Sequence, residues 1–357
     1  MANSYDPTSA AKFFSRTPLC VSFDDVLLVP HYSDVESRKN LVTNNMLDDT
    51  TLLQLPIISS PMDTVTETGM AYAMHTHGGL GIIHRYNTIE KQAEMVSVMR
   101  DDTEGHGIIG AAIGVTGDYQ ERAYELIMAG ANVLCVDVAH GHHSMMRDAL
   151  KYLKENHEDD AHIMAGNVAT GQGSIDLADW GADSIRVGIG GGSICSTRLV
   201  SGHGVPTLQS IIDCVHAGCP VPIIADGGIK TSGDVVKALA AGADFVMLGS
   251  MLAGTTQSPG QVFDNGNKKY KVYRGMASSE AQVNWRGKTS TPEGISTTIP
   301  YKGDVHSILA DLKGGIQSGM SYAGARTIQE LQAKASFVQQ TSAGRGESYT
   351  HILSTNK

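Results

Sequence analysis

The segment PIIADGGIKTSGDVVKALAAGADFVML, residues 222–248, contains two short apolar runs on either side of a helix-length amphipathic stretch. The runs Pro222–Ala225 and Phe245–Leu248 are short and rich in β-branched and aromatic residues, which predicts buried strands. Ser232–Ala241 between them has the periodicity of a helix that packs one face on the strands. This order is typical of two parallel strands joined by a helical crossover.

The same alternation continues towards the N-terminus. Further strands are predicted at Leu55–Ser59, Gly81–Ile83, Ile108–Ile113, Val133–Asp137, His162–Ala165 and Ser184–Val187. Helices are predicted at Thr66–His75, Ile89–Met99, Tyr119–Ala129, Ser144–Glu155 and Leu208–Val215. Eight strand–helix alternations predict one (β/α)8 TIM barrel domain over residues 1–357. A doubly wound open sheet is the alternative, but it needs fewer strands, and no GxGxxG turn follows the first strand.

Polar or glycine residues follow six of the predicted strands: Ser60, 137–141, 166–167, 188–193, 226–228 and 249–250. In a barrel these strand ends converge on one face, where active sites form. The loop VGIGGGSICSTR, Val187–Arg198, carries Cys195 among glycines that let backbone approach a ligand. A cysteine in an electropositive, partly exposed loop is a candidate nucleophile. A tight turn with an incidental thiol is the alternative interpretation.

Composition limits the classes of partner. The chain has 37 Asp+Glu against 27 Lys+Arg, and no long basic run, so broad binding to nucleic acid or anionic membranes is disfavoured. No apolar stretch reaches the roughly 20 residues that span a bilayer, and the N-terminus lacks the pattern of a secretory signal. Five scattered cysteines without CxxC spacing favour reduced thiols in the cytoplasm.

Two segments depart from the alternation. Residues 265–303 are polar and turn-rich, and we expect them to form a flap over the site, because such a long insertion is otherwise uncommon. Gly314–Leu331 is predicted to be helical. The tail, residues 342–357, is small and polar, and its composition slightly favours disorder over a fixed position against a neighbour.

Several motifs recur in one known family: SFDDVLLVP (Ser22–Pro30), SSPMDTVTE (Ser59–Glu67), GIIHR (Gly81–Arg85), DVAHGH (Asp137–His142), MAGNVATG (Met164–Gly171), GSICSTR (Gly192–Arg198), ADGGIK (Ala225–Lys230), MLGSMLAG (Met247–Gly254), YRGM (Tyr273–Met276) and PEG (Pro292–Gly294). In this order and spacing the chain resembles the purine-nucleotide barrel enzymes, inosine monophosphate (IMP) dehydrogenase and guanosine monophosphate (GMP) reductase. The resemblance implies a (β/α)8 oxidoreductase of the cytoplasm, usually a homotetramer.

Within this resemblance the reductase is favoured. Dehydrogenases typically carry regulatory modules after the second strand, whereas about twenty-five residues separate Ile83 from Ile108. They also use an adjacent arginine–tyrosine pair on the flap, but between Met276 and Glu293 this chain has Arg286 followed by glycine, and no tyrosine. Other features resemble dehydrogenases: SSPMDTVTE, the ESYTH tail, and the absence of the reductase's usual arginine near Thr289. A compact dehydrogenase and a non-catalytic nucleotide-binding barrel remain alternatives.

The resemblance implies roles for three catalytic residues. Cys195 would attack C2 of the GMP purine, and the amino group would leave as ammonia. Hydride from NADPH or NADH would then give IMP. Thr197 and Glu293 match the threonine–glutamate pair that relays a proton. Thr197 as a helix cap and Glu293 as a solvated carboxylate are the structural alternatives. Arg198 is expected to be a structural ion-pair partner.

The resemblance also implies binding residues. Asp226 and Ser60 would contact the ribose. The 5′-phosphate would be bound by Ser193, Gly228, Gly249, Ser250 and Tyr273, as strand-end phosphate sites in barrels are. Met276, with Gly275 and Gly294, would lie against the base. Asp137, Ala139 and Asn167 would face the nicotinamide cofactor. For the glycines and Asn167, a simple turn is the alternative.

A potassium ion is implied by the resemblance at the carbonyls of Gly190, Gly192 and Cys195. Glu347 and Ser348 of a neighbouring subunit would complete that site. The adjacent His140, His142 and His143 suggest a metal cluster, but they lack a matching carboxylate set, which disfavours one.

Overall fold

Eight parallel strands close into a barrel in this computed structural model, which describes residues 18–266 and 268–348. In chain order these strands are Ile57–Ser59, Leu80–Ile83, Gly110–Ile113, Val133–Asp137, His162–Val168, Ser184–Val187, Ile223–Asp226 and Phe245–Leu248. The last strand pairs with the first, Val246 opposite Ile57, and closes the ring. The strands are buried almost throughout, as expected for parallel strands covered on both faces. The predicted barrel is confirmed.

Helices surround the barrel at Thr68–Thr76, Ile89–Asp102, Tyr119–Ala129, Ser144–His157, Gly171–Asp179, Thr197–Ser201, Thr207–His216 and Ser232–Ala240. The stretch Gly314–Leu331, predicted to be helical, lies mostly in two helices, Val305–Tyr322 and Ile328–Lys334, with a break at residues 323–327. The longer helix packs closely on Ser232–Ala240. A Cβ atom added at Gly319 would lie 2.5 Å from a Val236 methyl carbon, so the absence of a side chain permits this approach.

The amino-terminal end of the barrel is closed by a short hairpin. Its strands, Asn45–Met46 and Leu52–Leu53, pair antiparallel. Leu47 and Leu53 are fully buried in one apolar cluster with Phe245 and other residues of the barrel interior. Because this end is filled by side chains, ligand access is left to the opposite end, where the strands finish.

The expected flap has secondary structure of its own. Three antiparallel strands, Phe263–Asn265, Lys268–Arg274 and Ser296–Pro300, form a small sheet, and the helix Ser279–Arg286 lies between the last two. The interpretation of residues 265–303 as merely turn-rich is thus corrected. Lys271 attaches this sheet to the barrel, since its buried ammonium donates to the carbonyls of Thr255 and Ser258.

The chain end returns to the start of the described region. Phe337–Gln339 pairs with Val26–Leu28, and the helix Ser342–Glu347 follows. Arg345 forms an ion pair of 2.7 Å with Asp24. Composition favoured disorder here, which was wrong for residues 342–348; residues 349–357 of the predicted tail lie outside the described region. Within residues 18–266 and 268–348, no helix has the length and apolar character to cross a bilayer.

Candidate active site

Cys195 lies in the glycine-rich loop that follows strand Ser184–Val187. The loop leaves the strand at Gly188, whose φ of +145° favours glycine. A Cβ atom there would lie 1.9 Å from the carbonyl oxygen of Asp226, so any side chain would collide with the neighbouring strand end. The loop then turns back, and the Cys195 amide donates to the Gly192 carbonyl at 3.1 Å. The thiol is consequently held over the carboxyl end of the barrel.

Three predicted catalytic side chains form one hydrogen-bonded chain. The Cys195 sulfur lies 3.1 Å from the Thr197 hydroxyl, which donates to Glu293 Oε2 at 2.8 Å. Thr197 is the first residue of a short helix, yet its hydroxyl is directed to Glu293 rather than to a helix amide. The arrangement can carry a proton between the carboxylate and a group bound beside the sulfur.

The flap and the cysteine loop are joined by backbone hydrogen bonds. The Ser196 amide donates to the Glu293 carbonyl at 2.9 Å, and the Ile295 amide donates to the Ile194 carbonyl at 3.0 Å. Cys195 and Gly294 pair as an isolated antiparallel bridge. These bonds, rather than side-chain contacts alone, place Glu293 beside Thr197.

A cavity of about 520 Å³ opens in front of Cys195. This volume is in the range of small-molecule sites, roughly 300–1,000 Å³. Most of the predicted site residues line it: Ser60, Asp137, Ala139, Asn167, Gly190, Gly192, Cys195, Thr197, Asp226, Tyr273, Gly275, Met276, Glu293 and Gly294. In the described part of the chain, the wall does not include Ser193, Gly228, Gly249 or Ser250.

Three of the residues expected to bind phosphate, Ser193, Gly249 and Tyr273, lie close together, and Tyr273 lines the cavity. The Ser193 and Tyr273 hydroxyls lie 3.4 Å apart. A Cβ atom added at Gly249 would lie 3.3 Å from the Tyr273 hydroxyl and 3.7 Å from Ser60 Cβ, so Gly249 adjoins both. Burial raises the pKa of the Tyr273 phenol, which keeps its hydroxyl protonated and able to donate to an anion.

Gly228 lies just after the strand Ile223–Asp226, and Ser250 lies just after the strand Phe245–Leu248. A Cβ atom added at Gly228 would lie 3.8 Å from the Gly191 carbonyl oxygen, which places this glycine beside the cysteine loop. The ammonium of Lys302 donates to the carbonyls of Ser250 and Met251. Lys302 therefore brings a positive charge to the loop expected to hold the phosphate.

The predicted base-binding residues meet beneath the flap. Gly275 and Gly294 approach so closely that a Cβ atom on Gly275 would lie 3.4 Å from Gly294 Cα. The Met276 sulfur accepts a 3.3 Å hydrogen bond from the Asp63 amide, and its carbonyl accepts one of 2.8 Å from the Tyr86 hydroxyl. Met276 is thereby fixed at the point where the chain enters the flap helix.

Arg186 connects the expected ribose and cofactor sides, and sequence reasoning missed it. It is 4% exposed and donates to Asp137 Oδ1 at 2.7 Å and to Asp226 Oδ2 at 2.9 Å. Burial opposes its charge, but the Cys135 sulfur and the two carboxylates outweigh this and raise its pKa. The signal available was a charged residue inside the apolar run Ser184–Val187.

On the side of the cavity where the nicotinamide cofactor is expected, the side-chain oxygen of Asn167 lacks a hydrogen-bond partner. The Asn167 amide donates to the Gly188 carbonyl at 2.8 Å and to Asp226 Oδ2 at 2.9 Å, while its own Oδ1 is buried without a partner. Arg85, also missed from sequence, donates to the Asp137 carbonyl at 3.2 Å. An unpaired buried amide oxygen at a cavity wall fits a ligand N–H, such as that of a carboxamide.

Ser348 and Arg198, both singled out in the sequence, make contacts within this chain. Within the chain, the Ser348 hydroxyl lies near Gln340 and Gly344, at the far end of the helix Ser342–Glu347. Arg198 donates to the Val205 carbonyl at 2.8 Å, so its expected role as an ion-pair partner is corrected.

His142 and His143, two of the three adjacent histidines, contact nearby residues. His142 lies 2.7 Å from the Asp176 carboxylate, and the His143 side chain accepts the Met145 amide. Across residues 18–266 and 268–348, no three His, Cys, Asp or Glu side chains are arranged to hold a metal ion.

The fold and cavity define a barrel with a cysteine, a hydroxyl and a carboxylate at the carboxyl ends of its strands. The family described as IMP dehydrogenase / GMP reductase domain matches residues 20–351, and the chain belongs to that family. Its members are oxidoreductases that act on IMP or GMP with a nicotinamide nucleotide.

Relatives carry both names. Inosine-5′-monophosphate dehydrogenase of Cryptosporidium parvum is 38% identical, over 93% of this chain and 94% of its own length. GMP reductase of Leishmania major is 34% identical, over 94% of this chain and 98% of its own. A crystal structure of a Cys-to-Ala variant of GMP reductase from Trypanosoma brucei, in complex with guanosine 5′-monophosphate, superposes with a TM-score of 0.90 at 32% identity. It covers 95% of this chain and 99% of that one.

The lengths of these alignments bear on the choice between the two activities. The alignment with the Leishmania major reductase extends over 480 positions, so that relative has residues this 357-residue chain lacks. The alignment with the Cryptosporidium parvum dehydrogenase extends over only 383 positions. A short segment between Ile83 and Ile108 therefore does not by itself distinguish a reductase from a dehydrogenase.

Proposed function

We propose that the protein is a GMP reductase, which converts GMP to IMP and ammonia with oxidation of NADPH. The Cys195 thiolate attacks C2 of the purine and forms a carbon–sulfur bond. A proton that Glu293 takes up from solvent and relays through Thr197 reaches the exocyclic amine, and the C2–N bond breaks to release ammonia. The remaining thioimidate is reduced at C2, and the carbon–sulfur bond then breaks to return the thiolate and give IMP.

The hydrogen-bonded chain Cys195–Thr197–Glu293 is the observation that supports this reaction. Departure of ammonia requires a proton donor beside the sulfur, and the Thr197 hydroxyl lies 3.1 Å from it. Hydrolysis of the intermediate in the dehydrogenase direction requires activation of water. The flap sequence between Met276 and Glu293 lacks the arginine–tyrosine pair that dehydrogenases use for that step. The site is thus better equipped for amine release than for hydrolysis.

We infer the orientation of the nucleotide from the polar groups of the cavity. The ribose hydroxyls bind Asp226, whose carboxylate is held by Arg186 and Asn167. The phosphate lies towards Ser193, Gly249 and Tyr273, where hydroxyls and backbone amides are available. The base then extends past Cys195 towards Met276.

The cofactor occupies the side of the cavity formed by Asp137, Ala139 and Asn167. A reduced nicotinamide supplies the hydride that C2 receives. The unpaired Asn167 Oδ1 would accept the carboxamide N–H of a bound nicotinamide. Asp137, on the same side of the cavity, is held in position by Arg186 and Arg85.

The same proposal includes binding of a monovalent cation and assembly of the enzyme into a tetramer. The Gly192 carbonyl accepts one hydrogen bond from the Cys195 amide and retains a second lone pair. With the Gly190 and Cys195 carbonyls it offers a partial ring for potassium. Glu347 and Ser348 of a neighbouring subunit would complete the ring. Activity that depends on potassium, and a tetrameric mass by light scattering, test these two points.

The activity test compares two reactions with pure protein. GMP with NADPH should lower the absorbance of the reduced nicotinamide, and IMP with NAD⁺ should raise it slowly or not at all. Parallel reactions with NADH establish the cofactor preference. Cys195→Ala should be inactive, while Cys219→Ala, a matched control outside the cavity wall, should keep wild-type activity.

Two other outcomes identify the competing functions. The 38% identity to the Cryptosporidium parvum dehydrogenase, which is close in length, favours IMP dehydrogenase as the second candidate. A faster reaction with IMP and NAD⁺ than with GMP and NADPH would establish it. Tight binding of nucleotide without turnover in either direction would indicate a non-catalytic barrel.

A further inference from the structure

Trp285, on the flap helix, lies between two side chains of the barrel. Its indole stacks on the ring of Tyr86, with the centroids 5.7 Å apart and the planes 15° from parallel. The guanidinium carbon of Arg122 lies 5.8 Å from the indole centroid. Aromatic stacking and cation–π contacts are both attractive, so the indole is held by the barrel on two sides.

The barrel side of this contact is fixed. Arg122 is 2% exposed and donates to Gln92 Oε1 at 2.7 Å and to Asp118 Oδ2 at 2.6 Å. Tyr86 follows strand Leu80–Ile83 and contacts the flap through its ring at Trp285 and through its hydroxyl at the Met276 carbonyl. The flap helix is therefore docked on side chains that already have defined positions.

Gln282, one turn before Trp285, connects this helix to Glu293. Its amide nitrogen donates to the Ala277 carbonyl at 3.0 Å, and the same carbonyl accepts the Glu293 amide at 3.1 Å. Its amide oxygen accepts both the amide and the hydroxyl of Ser290, at 2.8 and 2.9 Å. The helix that carries Trp285 thus holds the segment that carries Glu293.

We propose that Trp285 is a positioning residue that anchors the flap on Tyr86 and Arg122 and so keeps Glu293 within hydrogen-bond distance of Thr197. The inference rests on the proposed function, because it assumes that Glu293 relays the proton. Without the indole, the flap helix loses this attachment to the barrel. The backbone hydrogen bonds of Glu293 to Ser196 and Ala277 remain, but they hold the carboxylate less closely at the hydroxyl. The sugar phosphate is held by barrel loops and by Tyr273 of the flap sheet, which precedes the flap helix, so its binding does not depend on this anchor.

Three variants test the anchor by steady-state kinetics. Trp285→Ala should lower kcat about tenfold, equivalent to ~1.4 kcal/mol, with the nucleotide KM within about threefold of wild type. Trp285→Phe keeps a stacking ring and should recover most of kcat. Val283→Ala, at an exposed position of the same helix, should match wild type. A Trp285→Ala protein with a native circular dichroism spectrum and undiminished kcat would overturn the proposal.

A spectroscopic measurement tests the contact without turnover. The chain has two tryptophans, so Trp180→Phe leaves Trp285 as its sole indole. In that background, Tyr86→Ala should increase quenching of Trp285 fluorescence by acrylamide. Unchanged quenching in the Tyr86→Ala protein would contradict the anchor. This result is independent of the reaction direction, so it separates failure of the anchor from failure of the proposed function.

Kinetic coupling between the two rings gives a further check. If Tyr86 and Trp285 act as one contact, Tyr86→Ala should lower kcat less in the Trp285→Ala protein than it does in wild type. Losses that multiply would show that the two rings act independently and would refute the anchor.

Discussion

The Glu293 carboxylate accepts a hydrogen bond of 2.8 Å from the Thr197 hydroxyl, although 96 positions separate the two residues in the sequence. Thr197 begins a helix of the barrel, and Glu293 lies in the flap between the helix Ser279–Arg286 and the strand Ser296–Pro300. The bond therefore exists only when the flap is docked on the cysteine loop. It makes proton transfer beside Cys195 dependent on flap position.

Removing the carboxylate should slow the reaction without weakening nucleotide binding. Glu293→Gln keeps the size of the side chain but cannot release and regain a proton, so we expect kcat to fall by about 10²- to 10⁴-fold. Thr197→Ala should behave similarly, and Thr197→Ser, which retains the hydroxyl, should be substantially active. Steady-state kinetics with GMP measure these effects. A Thr197→Ser enzyme as impaired as Thr197→Ala would contradict a relay through the hydroxyl.

Removing the Arg186 charge should destabilise the fold and weaken substrate binding together. Arg186→Met leaves Asp137 and Asp226 without their buried partner, and such losses cost about 3–5 kcal/mol. Asp226 would also lose a constraint on its orientation towards the ribose. Urea unfolding and nucleotide titration measure the two effects. As a control, Arg147→Met removes an exposed arginine paired with Asp148 and should change neither. Unaltered stability in Arg186→Met would contradict the inferred role of the network.

The cysteines should differ in their reactivity towards iodoacetamide. Burial raises the pKa of Cys135 and of Cys214 to about 11, so both remain protonated and shielded near neutral pH. Cys195 lines the cavity and should be alkylated much earlier, with loss of activity in parallel and protection by GMP. Peptide mass spectrometry resolves the sites. Inactivation that follows alkylation of Cys20 or Cys219 instead would argue against Cys195 as the nucleophile.

Stability should decrease on acidification, partly through His162. Burial lowers its pKa in the folded state, despite the nearby carboxylates of Asp183 and Asp48. Below about pH 6.5, His162 is therefore protonated more fully in the unfolded chain than in the folded protein. The free energy of unfolding consequently decreases as the pH is lowered.

Unfolding in urea at pH 7.5 and pH 5.5 measures this dependence. His162→Gln should lose less stability between the two values than wild type, by up to ~1.4 kcal/mol per pH unit. His157→Gln, which replaces another buried histidine with a carboxylate neighbour, is the comparison variant. Equal slopes for wild type and His162→Gln would exclude a contribution from His162.

The barrel could be predicted from sequence because each strand is a short apolar run with its own helix. Val133–Asp137, Ser184–Val187 and Phe245–Leu248 agree with the structure at both ends. The flap sheet was not predictable in this way. Ser296–Pro300 is mostly exposed, so it lacks the apolar alternation that marks a half-buried strand.

The site was predictable where chemistry and motif coincide in one segment. Cys195, Thr197 and Glu293 are recognisable from the loops that carry them, and the fold brings them together. Contacts between distant segments were not predictable. Trp285 and Tyr86 are 199 positions apart, and their stacking depends on how the flap docks. Arg186 was not predicted as a site residue, because the carboxylates that neutralise its charge lie on other strands.

The measurement that tests the central claim most directly is mass spectrometry of the protein quenched with acid during turnover of GMP and NADPH. We expect a fraction of the peptide that contains Cys195 to carry the mass of the purine nucleotide joined through C2. The Glu293→Gln protein should accumulate less of it, because release of ammonia would be slowed. Rapid turnover with only the unmodified peptide, together with an active Cys195→Ala protein, would contradict covalent catalysis by this residue.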